Sequence, residues 1–132
     1  MIFVSITRLR LRSWRFFPGL VWYTLRSSRQ VKSALGNRGV RLLREPNNTF
    51  WTCTLWSDEA AMRAFMMSGA HRKAMPKLIN WCDEASVVHW QQEAAEPPPW
   101  HEAHRRMQAE GRASKVRYPS EAHRRFEIPA PP

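Results

Sequence analysis

The chain is poor in cysteine and glycine, with two Cys and five Gly in 132 residues. Cys53 and Cys82 make no disulfide framework, so stability has to come from a packed core, and reduced thiols fit a cytoplasmic protein. There is no Gly-rich phosphate loop. Long hydrophobic runs are lacking too. The longest uncharged stretch near the amino terminus, Phe16 to Leu25, is ten residues broken by Pro18-Gly19. A bilayer-spanning helix needs about 20 apolar residues, so no membrane span is expected.

Acidic charge is absent from the first third. Residues 1–44 hold ten Lys or Arg and no Asp or Glu, residues 45–92 hold four bases and five acids, and residues 93–132 hold seven bases and six acids. The net charge of +10 therefore resides in the first third. An Arg-rich, acid-free start has the composition of a transit peptide, yet Ile2, Val4 and Ile6 alternate as in a mature strand. A basic face can meet nucleic acid, an anionic membrane or an acidic ligand, or can simply keep a surface solvated. The bases lack the interleaved exposed aromatics of RNA platforms, so nucleic-acid binding ranks last.

No Ser-His-Asp logic and no paired carboxylates stand out. His101 and His104 are three residues apart with Glu102 between them, but a third ligand and the HExxH spacing are missing, so no metal site is assigned.

What the chain does have is apolar bulk: 43% hydrophobic residues, seven Trp and six Met. Such side chains fill large or irregular apolar spaces and often line ligand pockets. The length suits one domain and a tail.

Periodicity orders the elements. Ile2 to about Leu11 reads as a strand, with Leu9 and Leu11 on one side and Arg8, Arg10 and Arg12 on the other. A helix starts near Pro18 and ends near Leu35-Gly36-Asn37, with Leu20, Tyr23, Thr24, Ser27 and Val31 on one face. Val40 to Arg44 is a second strand, Glu45 to Asn48 a hairpin turn, and Thr49 to Trp56 a third strand with two apolar faces. Ser57 is the expected N-cap of a helix that buries Ala61, Met62, Phe65 and Met66 and stops at Gly69. A further helical piece runs from about Ala70 to Cys82, with Pro76 in its first turn or kinking it. Ala85 to Gln92 is the fourth strand.

The resulting β-α-β-β-α-β order is the split βαβ, ferredoxin-like α+β arrangement with an antiparallel sheet. Helices cover one face of such a sheet. Apolar residues on both faces call for a second cover, and a second copy of the chain is the simplest one. The expected division is a ferredoxin-like domain over residues 1–92 and a Pro-rich arm with one short helix over residues 93–132. The arm repeats EAHRRM at 102–107 as EAHRRF at 121–126, too briefly for a repeat architecture.

Residues 1–92 resemble the dimeric α+β barrel superfamily, which includes antibiotic-biosynthesis-type monooxygenases. The strings FWTCTLW, AAMRAF, SGAHRKAM and NWCDEASVVHW, with PPPWHEAHRRM and RYPSEAHRRF in the tail, are similar to an uncharacterised bacterial family related to spheroidene monooxygenase. The resemblance implies two ferredoxin-like subunits joined into a barrel, each with a pocket between its sheet and helices. It makes haem a possible cofactor, with no cofactor equally open. Heme-degrading members carry a pocket Trp and, ten residues later, an iron-binding His on the second helix. Those places are Phe65 and Met75 here, so that ligand is not carried over.

His71 is the candidate axial ligand or general base, or else a histidine that closes a helix end. Trp51, Trp56, Phe65, Met75, Trp81 and Trp90 are the candidate pocket, or else core and dimer packing. Arg8, Arg10 and Arg72 are candidate anion-binding residues, or else solubilising charges. Cys53, in a buried strand, reads as a structural thiol. The reading is a cytoplasmic homodimer, monooxygenase-like, with a pocket for an apolar or aromatic small molecule. The alternatives are a non-catalytic ligand-binding or regulatory homodimer and, last, anionic-surface or nucleic-acid binding through residues 1–44.

Overall fold

Alternation of β-branched and apolar residues from the second position onward puts the first strand at the centre of the fold. The computed structural model describes residues 1–131. Its elements are β1 (Ile2–Leu11), a 3-10 turn (Trp14–Phe16), α1 (Phe17–Lys32), β2 (Asn37–Glu45), β3 (Thr49–Trp56), α2 (Glu59–Met66), α3 (Gly69–Trp81), β4 (Cys82–Gln92), α4 (Trp100–Glu110), β5 (Arg112–Ala113) and α5 (Glu121–Arg125). The sheet has five strands in the order β2-β3-β1-β4-β5, all pairs antiparallel. This is the expected α+β, ferredoxin-like fold with a short added strand.

Register assigns the two faces. Val4 lies between Leu55 and Trp90, and Ile6 between Cys53 and Val88, so these residues share one face. Phe3, Ser5, Thr7 and Leu9 share the other with Trp56, Thr54, Thr52 and Phe50. Helices α1, α2 and α3 serve this second face, called the front here. Phe3, Val31, Trp56 and Met62 form one cluster on it, and Leu11, Leu20 and Cys82 another.

The back face is the larger core. Val4, Ile6, Trp51, Cys53, Leu55, Val88 and Trp90 pack there against Ala103 and Met107 of α4 and against Ile128. The second cover expected from a second copy is thus supplied by the chain's own residues beyond β4. The repeated sequence does this twice. His104 Nε2 donates to the Ile128 carbonyl at 2.7 Å, and His123 Nδ1 accepts from the Ala85 amide at 3.3 Å. Glu102 pairs with Arg105 and Arg106 in the first copy, and Glu121 with Arg125 in the second. The second copy is a helix too, so the segment beyond β4 holds two short helices where one is expected from the sequence.

Other boundaries differ for local reasons. Asp58, not Ser57, caps α2, its carboxylate accepting the Ala61 amide at 2.8 Å. Ser57 instead donates its amide to the Gly36 carbonyl, closing the turn before β2. Gly69 has φ +55 at the break between α2 and α3, the left-handed geometry that favours glycine. Pro76 lies inside α3 rather than in its first turn, so the Arg72 carbonyl loses its helical partner while the helix continues.

Candidate ligand-binding site

The front face is apolar at its two ends and polar in the middle. Ser5, Thr54 and His89 form one cross-strand row, and Thr7, Thr52 and Val87 the next. Except for Ser5, these residues remain half-buried, whereas their back-face neighbours are sealed. Small hydroxyl side chains offer a helix little apolar surface to bury, so the helices close on one another instead. Gly19 of α1 meets Trp81 of α3 so closely that a Cβ there would sit 2.6 Å from the indole. Tyr23 packs on the same ring, 6.1 Å between centroids. Farther along, Gln30 donates to the Phe65 and Ser68 carbonyls and accepts from the His71 amide.

Because α1 is held to α3, its other side stands off the sheet above β2 and β3. A cavity of about 240 Å³ lies there. Its roof is Phe17, Leu20, Val21, Thr24 and Leu25 of α1; its floor is Leu9, Leu42, Phe50 and Thr52, with Leu43 and Trp51 behind. Thr24 and Thr52 supply hydroxyls. Among the described residues Arg44 is the only charged one in the lining, and its guanidinium lies 4.6 Å from the Phe17 ring centroid. Val21, Leu25 and Leu42 remain exposed at its rim.

The six expected pocket residues do not converge. Trp51 is on the back face, its indole Nε1 donating to Glu45 at 2.6 Å and its ring edge-on to Trp100 and His104; of the six it alone borders the cavity. Trp90 is also on the back, 4.6 Å beneath the Arg106 guanidinium. Trp81 packs against Phe16 and Tyr23 at the inner end of α3, and Met75 is exposed. Trp56 and Phe65 do meet, at 5.3 Å, and Phe65 meets His71 at 4.9 Å.

His71 Nδ1 is 3.4 Å from the Met66 carbonyl oxygen. Burial holds its pKa below the ordinary value of 6.5, partly offset by that carbonyl, so the ring is neutral at pH 7. His89 is lowered as well, by burial and then by Arg112 and Arg63, against Glu59. Its Nε2 and the Trp56 Nε1 are buried without hydrogen-bond partners, and their residues flank Phe3.

The arginine candidates are also spread out. Arg8 and Arg10 both bind Glu84 on the back face, at 2.7 and 3.0 Å. Arg72 is exposed on α3. Apart from Trp51, the cavity-lining residues of α1 and the β2–β3 hairpin carry no mark of a site in the sequence. Leu20 with Thr24, and Phe50 with Thr52, could be placed on common faces, but the gap between those faces depends on the Gly19–Trp81 contact.

Haem does not fit these residues. The cavity is smaller than the roughly 300–1,000 Å³ typical of sites for drug-sized ligands, and no histidine lines it. His71, the one candidate ligand, is turned into the α2–α3 junction and packed on Phe65. Among the described residues, no group of three His, Cys, Asp or Glu side chains could hold a metal ion. No helix among them is long and apolar enough to cross a membrane.

Residues 14–115 match the family described as "Domain of unknown function (DUF3291)". No curated protein matches the chain. Among solved structures it is similar to SnoaB, a cofactor-independent oxygenase from Streptomyces nogalater, in a variant form: 14% identity, TM-score 0.59, with 70% of this chain and 94% of that one covered. A putative antibiotic biosynthesis monooxygenase from Nitrosomonas europaea gives 13% identity and TM-score 0.63 over 70% and 90% of the two chains. A conserved protein from Methanosarcina mazei gives 10% and 0.63 over 70% and 94%. The fold is therefore that of the antibiotic-biosynthesis-monooxygenase-like α+β proteins, as the resemblance implied.

Proposed function

The chain belongs to the DUF3291 family, and from that premise we propose that it is a monooxygenase-like protein that takes an apolar or aromatic small molecule between α1 and the sheet. The observation that carries this reading is the 240 Å³ apolar cavity held open by the α1–α3 contact. An apolar cleft desolvates a hydrophobic substrate, and a few hydroxyls fix its orientation; Thr24 and Thr52 are suited to that part. SnoaB, which shares the fold, is a cofactor-independent oxygenase, consistent with a site that does not fit haem.

The protein is read as a cytoplasmic homodimer with a domain over residues 1–92 and an arm over 93–132. The back face is already occupied, so the surface that supports a dimer is the rim of exposed Val21, Trp22, Leu25, Val40 and Leu42.

A second reading keeps chemistry near His71 and His89. It is supported by the partnerless Trp56 Nε1 and His89 Nε2 beside Phe3. A third is a non-catalytic ligand-binding homodimer.

Substrate-dependent oxygen uptake with a panel of polycyclic phenols and polyenes separates these. The proposed reading expects uptake that falls in Val21→Trp, which fills the cavity, and persists in His71→Ala. Uptake lost in His71→Ala would favour the second reading. Binding with no uptake would favour the third.

A further inference from the structure

The cavity has chemistry at one end only. Its walls are hydrocarbon and aromatic, two threonines apart, and its single charge is Arg44. That guanidinium is held near Phe17 by a cation–π contact, which fixes it at reduced entropic cost. No ion pair is formed by Arg44 among the described residues. The adjacent acid, Glu45, is committed to the Trp51 indole.

The wider field has the same sign. The cavity's roof and much of its floor come from residues 1–44, which carry ten bases and no acid. Of those ten, only Arg8 and Arg10 have carboxylate partners among the described residues, and the one they share, Glu84, lies on the back face. Arg41 lies on the back face opposite Cys53 and Arg12 is turned to the Asn80 carbonyl, but α1 carries Arg26, Arg29 and Lys32 with no acid, and β2 carries Arg38 and Arg44 before its single acid, Glu45. Positive charge on the two elements that border an apolar slot concentrates amphipathic anions.

Resting on the cavity as the binding site, we infer that its ligand is a monoanionic amphiphile, an acyl or aryl carboxylate. The apolar body lies under α1 and the carboxylate is bound by the Arg44 guanidinium. A cavity of about 240 Å³ suits a medium chain or a small ring system rather than a long-chain lipid. A planar guanidinium can take a carboxylate through two parallel N–H···O bonds.

The test is calorimetric titration of the full chain at pH 7.5 and low salt with decanoate and decyltrimethylammonium, each below its micellar concentration, and with decanol below its solubility. The expected result is that decanoate binds about tenfold or more tighter than decanol, and that the cation binds weakest. Arg44→Gln is expected to bring decanoate and decanol within about twofold of each other. Arg44→Lys is expected to retain part of the preference, because it keeps charge without the fork. Equal binding of decanoate and decanol by the unaltered protein would overturn the anion assignment while leaving the cavity reading intact. A decanoate preference that survives in Arg44→Gln would overturn the role of Arg44. If neither decanoate nor decanol binds, the cavity reading falls with it.

Discussion

Arg8 and Glu84 form a nearly sealed ion pair between adjacent strands, Nη1 to Oε1 at 2.7 Å, with side-chain exposures of 6% and 5%. Arg10 and the Ser120 hydroxyl hold the other carboxylate oxygen at 3.0 and 2.8 Å. Ser120 caps α5, so the pair also ties the last helix to the sheet. Arg8 is therefore a structural cation here, placed by the same alternation that made it look like an anion-binding candidate.

Removing one partner leaves the other charge buried. Glu84→Gln is expected to destabilise the fold by about 3–5 kcal/mol, while Arg8→Met with Glu84→Leu recovers most of the loss. Urea unfolding of the three variants checks this. Burial raises the Glu84 pKa, but hydrogen bonds from Arg8 and Ser120, the Arg8 charge and Arg10 outweigh it, for a net value below 4.5. A depressed carboxylate stabilises fully above its unfolded pKa, and that stability is lost as pH falls through the folded value. The unaltered protein should therefore lose stability below about pH 4.5 more steeply than Glu84→Gln.

Two histidines act in a higher window. His71 and His89 both have pKa values lowered from 6.5, chiefly by burial. Unfolding lets them take up protons, so the stability is present above pH 6.5 and is lost as pH falls through the lower folded values. Thermal unfolding midpoints measured from pH 7.5 down to pH 5 should decline in the unaltered protein. The decline should be shallower in His89→Gln.

Both thiols should be inert in the folded state. Burial pushes Cys53 up to about 11, partly offset by Arg41, and pushes Cys82 up to about 12, with Asp83 adding to the rise. Thiolate is the reactive form, so labelling by an aromatic disulfide reagent at pH 8 should be slow and should become complete in denaturant. Fast labelling of either cysteine without denaturant would contradict the packing described.

The back-face cover should be strongly stabilising. Met107 is fully buried against the Trp51 and Val88 layer, so Met107→Ala is expected to cost about 2–5 kcal/mol. Ending the chain at Gln92 would expose Val4, Ile6, Trp51, Leu55 and Trp90 together. The truncated protein should then aggregate or bind a hydrophobic dye. A soluble, dye-negative truncation would show that this face has another cover.

The strand pattern was legible because period-two alternation is local: Phe50, Thr52, Thr54 and Trp56 do share one face, and Trp51, Cys53 and Leu55 the other. Gly69 was legible because a helix break needs a left-handed residue. The aromatic pocket was not. Trp51, Trp56 and Trp81 each follow a correct local pattern yet end on different layers, because sequence gives a face but not what packs on it. The cover by α4 and Ile128 was hidden for the same reason, in a segment whose prolines and charges suggest an arm. The cavity depends on a missing atom, the Cβ of Gly19, which lets α1 settle on Trp81 and away from β2.

Methyl-resolved NMR of the full chain titrated with decanol is the most direct test that an apolar ligand enters between α1 and the sheet. Shift changes are expected to be confined to Leu9, Leu20, Val21, Thr24, Leu25, Leu42, Leu43 and Thr52, the methyl groups around the cavity, with Val87 and Met62 unmoved. Changes centred on Met62, Met66 and Val87, or no saturable change at any methyl, would contradict it.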